Sequence, residues 1–246
     1  MTKLEKKMAN RNEKRFGVAR VLNKRGFCSR AKAETLVREG RVALDGKIVF
    51  NPETPAKLDS DIAVDGMSVL PNEPVYFAMN KPRGVVTTAS DERGRKTVMD
   101  LLRGKVDVHV FPVGRLDKAS EGLLLFTNDT AFSDKILSPE SHLEKEYRVR
   151  VGRLPSDGEL LQMRNGVLVP PRVFGNPPEK MRMANVEILD GENSKWLAVV
   201  LREGKNREIR RILECFGIET LRLVRVRIGN WKLGNLKPGE IRQIFL

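Results

Sequence analysis

The chain has 246 residues, of which 40% are hydrophobic and 31% charged, and its formal net charge is +13. This composition is typical of a globular protein with a sizeable core and excludes a disordered or collagen-like chain. Two isolated cysteines, Cys28 and Cys215, exclude a disulfide scaffold and make a zinc site improbable, so we expect no bound metal.

The apolar runs are too short for a transmembrane helix, and the first residues lack the apolar segment of a secretory signal. We therefore expect a cytoplasmic protein without a membrane partner. The positive charge lies at the two ends: residues 1–50 have 14 Lys and Arg against 5 Asp and Glu, and residues 201–246 have 11 against 5. Clustered cations suit a polyanion, because neutralised phosphates release counterions. An acidic membrane is disfavoured because no segment pairs a basic face with an aromatic or leucine face, so the charge favours a nucleic acid.

The regular pattern begins at Phe16, after a polar and basic stretch, residues 1–15, that we expect to be a flexible arm. Apolar residues at helical spacing then predict two helices, the first ended by Gly26 and the second capped by Ser29 and ended by Gly40. We expect one basic face on these helices, formed by the exposed residues Arg30, Lys32, Arg38 and Arg41.

A hairpin is predicted next, because alternating apolar residues surround the pair Asp45-Gly46, and residues 62–66 add a further short strand and turn. Two helices followed by a small hairpin indicate a compact domain over residues 16–70. The proline-bounded segment 70–74 marks the start of a larger domain, which we expect to cover residues 75–246.

The string GFCSRAKAETLVREGRVALDGKIV, which leads on to AVDG, resembles the S4-type RNA-binding domain, named after a ribosomal protein. The resemblance implies that the two helices and the hairpin present their basic residues to structured RNA, which is recognised by its backbone and shape. The alternative is a small domain with a solvated charged face.

The second domain reads as an α+β fold on a mixed, mainly antiparallel sheet with flanking helices. Residues 221–229 alternate apolar residues with arginine, so we expect Arg222, Arg225 and Arg227 on the face away from the core. A helix is predicted from Asn206 to Phe216, and the other β-rich segments are residues 147–151, 185–189 and 196–201.

The common motifs for nucleotide hydrolysis, dinucleotide binding, zinc proteolysis and serine hydrolysis are missing from the sequence, so chemistry would rest on Asp, Glu, Tyr, Lys or Arg. The strongest candidate is VGRLDKASEGLLLFTND (113–129), in which Asp117 follows a turn and precedes a buried strand. A carboxylate at the edge of an apolar strand with an arginine nearby could be held ionised. Taken alone, this string is more often a turn than an active site.

Together with NKPRGVVTT (80–88), HLEKEYRVRV (142–151) and REGKNREIRRILECFG (202–217), this string resembles, in order, the motifs of the ribosomal RNA pseudouridine synthases of type A (small-subunit) and type B (large-subunit). With the preceding domain, the resemblance covers about residues 16–240. It implies an enzyme without cofactors that breaks the N1–C1′ bond of uridine, turns the uracil and joins C5 to C1′. We expect ribosomal RNA or a pre-ribosomal particle as partner, and a monomer.

The resemblance also implies roles for individual residues. Asp117 matches the catalytic aspartate, which either attacks the sugar or acts as a base at C2′. Tyr147 matches the tyrosine that stacks on the uracil and is a candidate for removing the C5 proton, although on its own it reads as an ordinary strand aromatic. Arg210 matches the basic residue that pairs with the aspartate, and its neighbour Arg211 is easily confused with it.

Arg115 matches the position that fills the space vacated when the target nucleotide is extruded. Further cations are expected to follow phosphates near the site, with solvated surface charge as the alternative for each: Lys81, Arg83, Lys205 and Arg207. The last motif is more similar to the type B enzymes, which act on large-subunit RNA. A non-catalytic RNA-binding assembly factor is the second hypothesis, and a DNA-binding regulator is disfavoured because no recognition helix is evident.

Overall fold

The computed structural model describes residues 14–88, 91–173, 175–189 and 194–246. Most of the basic arm expected over residues 1–15 lies outside the described residues. The helices are α1 Val18–Lys24, α2 Arg30–Arg38, α3 Val98–Leu102, α4 Thr130–Leu137, α5 Asp157–Asn165 and α6 Glu208–Cys215, with a 3-10 turn at Pro139–Ser141.

The strands in the first part of the chain are β1 Phe16–Gly17, β2 Val42–Leu44, β3 Lys47–Val49, β4 Pro55–Ala56, β5 Ile62–Val64 and β6 Met67–Ser68. The remaining strands are β7 Tyr76–Lys81, β8 Phe111–Val113, β9 Glu121–Thr127, β10 Lys145–Val151, β11 Val167–Val169, β12 Glu179–Met181, β13 Asn185–Ile188, β14 Trp196–Leu201, β15 Thr220–Ile228, β16 Trp231–Lys232 and β17 Ile241–Ile244.

The N-terminal part forms as the sequence predicts. The hydroxyl of Ser29 accepts a hydrogen bond from the Lys32 amide and caps α2, while Gly26 and Gly40 follow the helices with positive φ. Both helices pack on a four-stranded antiparallel sheet with the order β3-β2-β5-β6. Its hairpins turn at Asp45-Gly46 and Asp65-Gly66, whose four positive φ angles suit the two-residue turn.

The large sheet has the order β13-β14-β10-β15-β9-β7-β17, with β16 added to β15 and β8 added to β9. The pairs are antiparallel except for β15 with β9, which run parallel. The fold is therefore α+β on a mixed, mainly antiparallel sheet, which confirms the predicted class. Among the described residues, no helix is long and apolar enough to cross a bilayer.

Strand β9 has an apolar run, Leu123 to Phe126, because it is buried on both faces of the sheet. Leu124 and Phe126 belong to one core, which also contains buried residues of α3, α5 and α6. Leu123 and Leu125 belong to the core on the opposite face, which includes residues of α4. A strand covered on both faces gives a continuous hydrophobic run rather than alternation, and this packing fixes the loop in front of β9.

The expectation that three arginines of β15 share a solvent face is wrong. Arg225 is buried and lies opposite Tyr147 of β10, where the pairing register shifts between Glu146 and Tyr147. Arg222 instead is exposed and pairs with Glu121. The apolar residues of this strand do not alternate strictly, so Arg225 shares the face of Leu223 rather than that of Arg222.

Candidate active site

The loop between β8 and β9 carries Asp117 and is hydrogen-bonded to the segment that follows β7. Thr87 Oγ1 donates to the Leu116 carbonyl at 2.8 Å and accepts from the Leu116 amide at 3.3 Å. The Gly84 amide donates to the Lys118 carbonyl at 2.8 Å. Asp117 itself is half-buried, so its carboxylate is positioned by a fixed backbone and remains open to a ligand.

Lys81 lies beneath this loop and is 0% exposed. Its ammonium donates to the carbonyls of Pro82 and Asp117, both at 3.1 Å, and of Ser120 at 2.8 Å. The pKa of Lys81 is lowered to about 8, mainly by burial; Asp117 and Glu121 oppose this shift, and Arg225 contributes to it. The expectation that Lys81 contacts phosphates is therefore wrong: it ties β7 to the Asp117 loop.

Tyr147 lies in the middle of β10, with 7% of its surface exposed, and packs in the same core as Leu116 of the Asp117 loop. Its cross-strand neighbours are Val199 on β14 and Arg225 on β15. Arg225 in turn lies beside Gly122 of β9. The tyrosine and the strand that follows Asp117 are thus separated by one intervening strand on the same sheet.

Arg210 projects from α6 towards the same loop. Its guanidinium donates to the carbonyls of Thr220 at 3.2 Å and Ala119 at 3.4 Å, and its Nε is buried without a hydrogen-bond partner. Burial lowers the pKa of Arg210, while attraction to Asp117 opposes that shift. The two charges thus interact, but the described hydrogen bonds of Arg210 go to main-chain carbonyls rather than to the carboxylate.

The sequence indicated no site role for Arg225 and Glu208, which are buried, or for Lys145, which is half-buried. Arg225 Nε donates to the Leu123 carbonyl at 2.7 Å, while its Nη2 is buried without a partner. Burial is the main cause that lowers the pKa of Lys145 and raises that of Glu208 to about 7. Arginine within a β-branched run and glutamate at the start of an amphipathic helix are the signals that could have indicated them.

A cleft of about 320 Å³ opens beside Asp117. It is lined by polar and charged groups that include Thr87, Thr88, Asp91, Arg95, Arg115 and Asp117. Arg115 and Arg83 are exposed, as a contact with a large ligand requires. Within the described residues, no group of three or more His, Cys, Asp or Glu side chains is arranged to hold a metal ion.

The other expected RNA contacts lie at two places. Arg207, at the start of α6, is exposed, whereas Lys205 is half-buried and pairs with Glu203 at 3.0 Å and Glu179 at 3.4 Å. The four cations expected to bind RNA in the N-terminal domain are all exposed, Arg30, Lys32 and Arg38 on α2 and Arg41 between α2 and β2.

These four cations do not act as one uniform face. Arg30 and Arg38 both pair with Glu34, and Arg41 pairs with Asp65 through two hydrogen bonds. Exposed pairs of this kind contribute about 0–1 kcal/mol, so a phosphate can replace the carboxylate at small cost. Lys32 is near enough to His109 of the second domain to lower the pKa of the imidazole.

Comparisons with known proteins find relatives of both parts of the chain. Residues 75–215 match the model of the RNA pseudouridylate synthase family, and residues 17–62 match that of the S4 domain. The ribosomal large subunit pseudouridine synthase B of Bacillus subtilis is 33% identical over 92% of this chain and 90% of its own. An uncharacterised RNA pseudouridine synthase of Rickettsia typhi is 37% identical over 93% and 91%. The crystal structure of a pseudouridylate synthase superposes with a TM-score of 0.64 at 25% identity, covering 94% of this chain and 96% of the other.

Proposed function

This chain belongs to the RNA pseudouridine synthase family, and we propose that it converts specific uridines of large-subunit ribosomal RNA to pseudouridine. The observation that carries the choice of substrate is the similarity to the Bacillus enzyme, which extends over both domains. We further propose that residues 16–70 bind RNA, that residues 75–246 catalyse the reaction, and that the protein acts as a cytoplasmic monomer.

The reaction is an isomerisation in which atoms and electrons balance within the nucleotide. The N1–C1′ bond breaks, the uracil turns, C5 bonds to C1′, and the proton lost from C5 is balanced by one gained at N1. Asp117 is the residue that attacks the sugar or removes a proton at C2′. The position of Asp117 supports this role, because its half-exposed carboxylate lies at the cleft. Lys81 and Thr87 hold the loop that carries it in one conformation. Such preorganisation lowers the cost of reaching the transition state.

Arg210 and Tyr147 complete the proposed site. Arg210 is a nearby cation that attracts the Asp117 carboxylate in a partly buried setting. Tyr147 supplies an aromatic face for the uracil and a phenol that is a candidate to take the C5 proton.

RNA would approach over the exposed cations on both sides of the cleft. A base cannot turn within a stack, so the target nucleotide must be extruded, which costs a few kcal/mol. Arg115 is exposed on the rim beside Asp117, where it can stack in the vacated space and offset part of that cost. Arg83 and Arg207 are exposed nearby and are proposed to contact phosphates.

The test is to map pseudouridine in ribosomal RNA from cells that lack this protein. Complementation with the wild type is expected to restore a missing site, whereas Asp117→Asn is expected to leave it unmodified. Asp134→Asn is the matched control, because Asp134 is exposed on α4, outside the cleft. Unchanged modification in cells without the protein, or full restoration by Asp117→Asn, would instead support a non-catalytic assembly factor.

A further inference from the structure

An apolar cavity lies where the S4 domain meets the catalytic domain, away from the cleft at Asp117. Its volume is about 220 Å³. Since a water molecule occupies about 30 Å³, the cavity has room for several waters or for one flat ring system. The S4 domain contributes Asn23, Ser29 and Arg30, and the catalytic domain contributes residues 109–112 with Met99 and Thr130.

The two domains are held together beside this cavity. Lys24 Nζ, at the end of α1, donates to Thr130 Oγ1 at 3.2 Å. Gly26 lies against Asn128 so closely that a Cβ added to the glycine would be 3.2 Å from the Asn128 Cβ. The cavity walls therefore come from two domains whose contact is specific, and the cavity exists only when both are folded.

The walls suit a flat aromatic ring with polar edges. Phe111, His109 and Pro112 provide planar or rigid surface. Asn23, Ser29 and Thr130 also line the cavity, and each of their side chains makes a hydrogen bond within the protein. Burial lowers the pKa of His109, with Lys32 acting in the same direction, so its imidazole is neutral at pH 7 and can stack. Unstacked RNA bases are held in this way, by aromatic faces and by hydrogen bonds to their edges.

The surroundings of the cavity are basic. Lys14, Arg20 and Lys24 lie 5.8, 5.3 and 5.0 Å from the centre of the Phe16 ring, so three cations converge on one side chain. Lys24 connects this group to the cavity through Thr130. Arg30 lies at the cavity edge and is shared between Glu34 and Glu53. Converging cations beside an apolar slot match the phosphate and the base of one nucleotide.

We propose that this cavity binds one unstacked base of the RNA substrate, other than the base that reacts, and that the cations around Phe16 hold the adjoining phosphate. The inference rests on the proposed function, because it takes RNA as the ligand. Such a site would fix the distance along the RNA between the nucleotide bound at the S4 domain and the uridine that lies at Asp117. It would thereby help to select which uridine is modified.

The test uses the full chain labelled with ¹³C-histidine and two probes, a short oligoadenylate and an abasic ribose–phosphate strand of the same length. Adenine is chosen because the catalytic site is proposed to take uracil. The chain has two histidines, and His142 is exposed outside the cavity, so it serves as the internal control. The resonance of His109 is expected to move with oligoadenylate and much less with the abasic strand.

Variants separate the base from the phosphate. Phe111→Leu keeps an apolar side chain but removes the aromatic face, so oligoadenylate affinity is expected to fall about tenfold while abasic-strand affinity is unchanged. Lys24→Met is expected to weaken both strands equally. Lys57→Met removes an exposed lysine of the same domain outside the cavity and is the matched control.

The proposal is overturned if oligoadenylate fails to bind, if it binds no more tightly than the abasic strand, or if it binds without moving His109. Should Phe111→Leu fail to fold, the titration of the wild type still decides. These readouts measure binding and not conversion. A chain that forms no pseudouridine but shows the His109 response would refute the proposed activity and support the base site, and the reverse pattern would refute the site alone.

Discussion

The side-chain ammonium of Lys81 donates a 3.1 Å hydrogen bond to the main-chain carbonyl of Asp117. A buried cation therefore holds the backbone of the proposed catalytic residue, while the carboxylate of that residue faces the cleft. The same ammonium also bonds to the carbonyls of Pro82 and Ser120, so one side chain joins the end of β7 to both ends of the turn that carries Asp117.

Lys81→Met is expected to destabilise the fold by about 1–3 kcal/mol, because buried carbonyls lose their donor. Pseudouridine formation should fall further than the loss of folded protein explains, since the loop is no longer held. Denaturant unfolding and a single-turnover conversion assay measure the two effects. Lys105→Met, at an exposed position, is the control and should change neither. Wild-type stability of the Lys81→Met variant would show that these hydrogen bonds do not hold the Asp117 loop.

Arg210→Gln is expected to lower the conversion rate about 100-fold, as loss of a charge-stabilising donor does in other enzymes. The variant loses the hydrogen bonds to the Thr220 and Ala119 carbonyls and the attraction to Asp117, and single-turnover conversion measures the effect. Arg211→Gln is the control on the same helix, because Arg211 bonds instead to Glu179 and the Pro170 carbonyl. A wild-type conversion rate in Arg210→Gln would exclude the proposed role of Arg210.

Glu208→Gln is expected to change how stability depends on pH. The folded-state pKa of Glu208, about 7, is above its ordinary value of 4.5, so the folded protein binds this proton more tightly than the unfolded chain. That contribution is complete below about pH 4.5 and is lost as the pH rises through about 7. The variant should match the wild type at pH 4.5 and be more stable at pH 8.

Glutamine retains an oxygen that can accept the Lys205 amide, so the Glu208→Gln comparison isolates the charge. The measurement is the free energy of unfolding of both proteins across this pH range. Glu214→Gln, on the exposed side of the same helix, should keep the wild-type slope. Parallel curves for wild type and Glu208→Gln would contradict the burial of a titrating carboxyl.

Gly122→Ala is expected to destabilise the fold by about 2–3 kcal/mol. Gly122 has a φ of +103°, and a Cβ there would lie 2.3 Å from the Arg225 carbonyl oxygen, so β9 and β15 would have to separate. Gly158→Ala is the opposite case, since Gly158 lies in α5 with open space around it, and it should stabilise by about 0.5–1 kcal/mol. Thermal unfolding measures both changes in stability, which should be a loss for Gly122→Ala and a gain for Gly158→Ala.

The N-terminal domain could be predicted closely because its signals are local. A serine cap, glycines after the helices and Asp-Gly turns each act within a few residues, and the structure has each of them in that role. The parallel pairing of β9 with β15 could not be foreseen, because it joins strands about a hundred residues apart and depends on packing across both faces of the sheet.

In the site, the sequence-based prediction is wrong for charged residues whose role depends on burial. Lys81 has the charge of a phosphate contact, but the turn folds over it and its ammonium replaces water with three carbonyls. The sequence pattern predicts that Arg225 faces solvent with its neighbouring arginines, but the shifted register brings it beside Tyr147. Both residues show that charge alone does not predict exposure when neighbouring backbone groups can satisfy it.

Because β7 pairs with β17, the large sheet is complete only when the last part of the chain is present. The N-terminal core draws on residues between Phe16 and Val69, so it can close soon after these residues leave the exit tunnel. Met79, two residues before Lys81, pairs with Ile241. The sheet beneath the Asp117 loop therefore cannot be completed until the last part of the catalytic domain has been synthesised. During synthesis the domain proposed to bind RNA can therefore fold before the proposed catalytic site is complete.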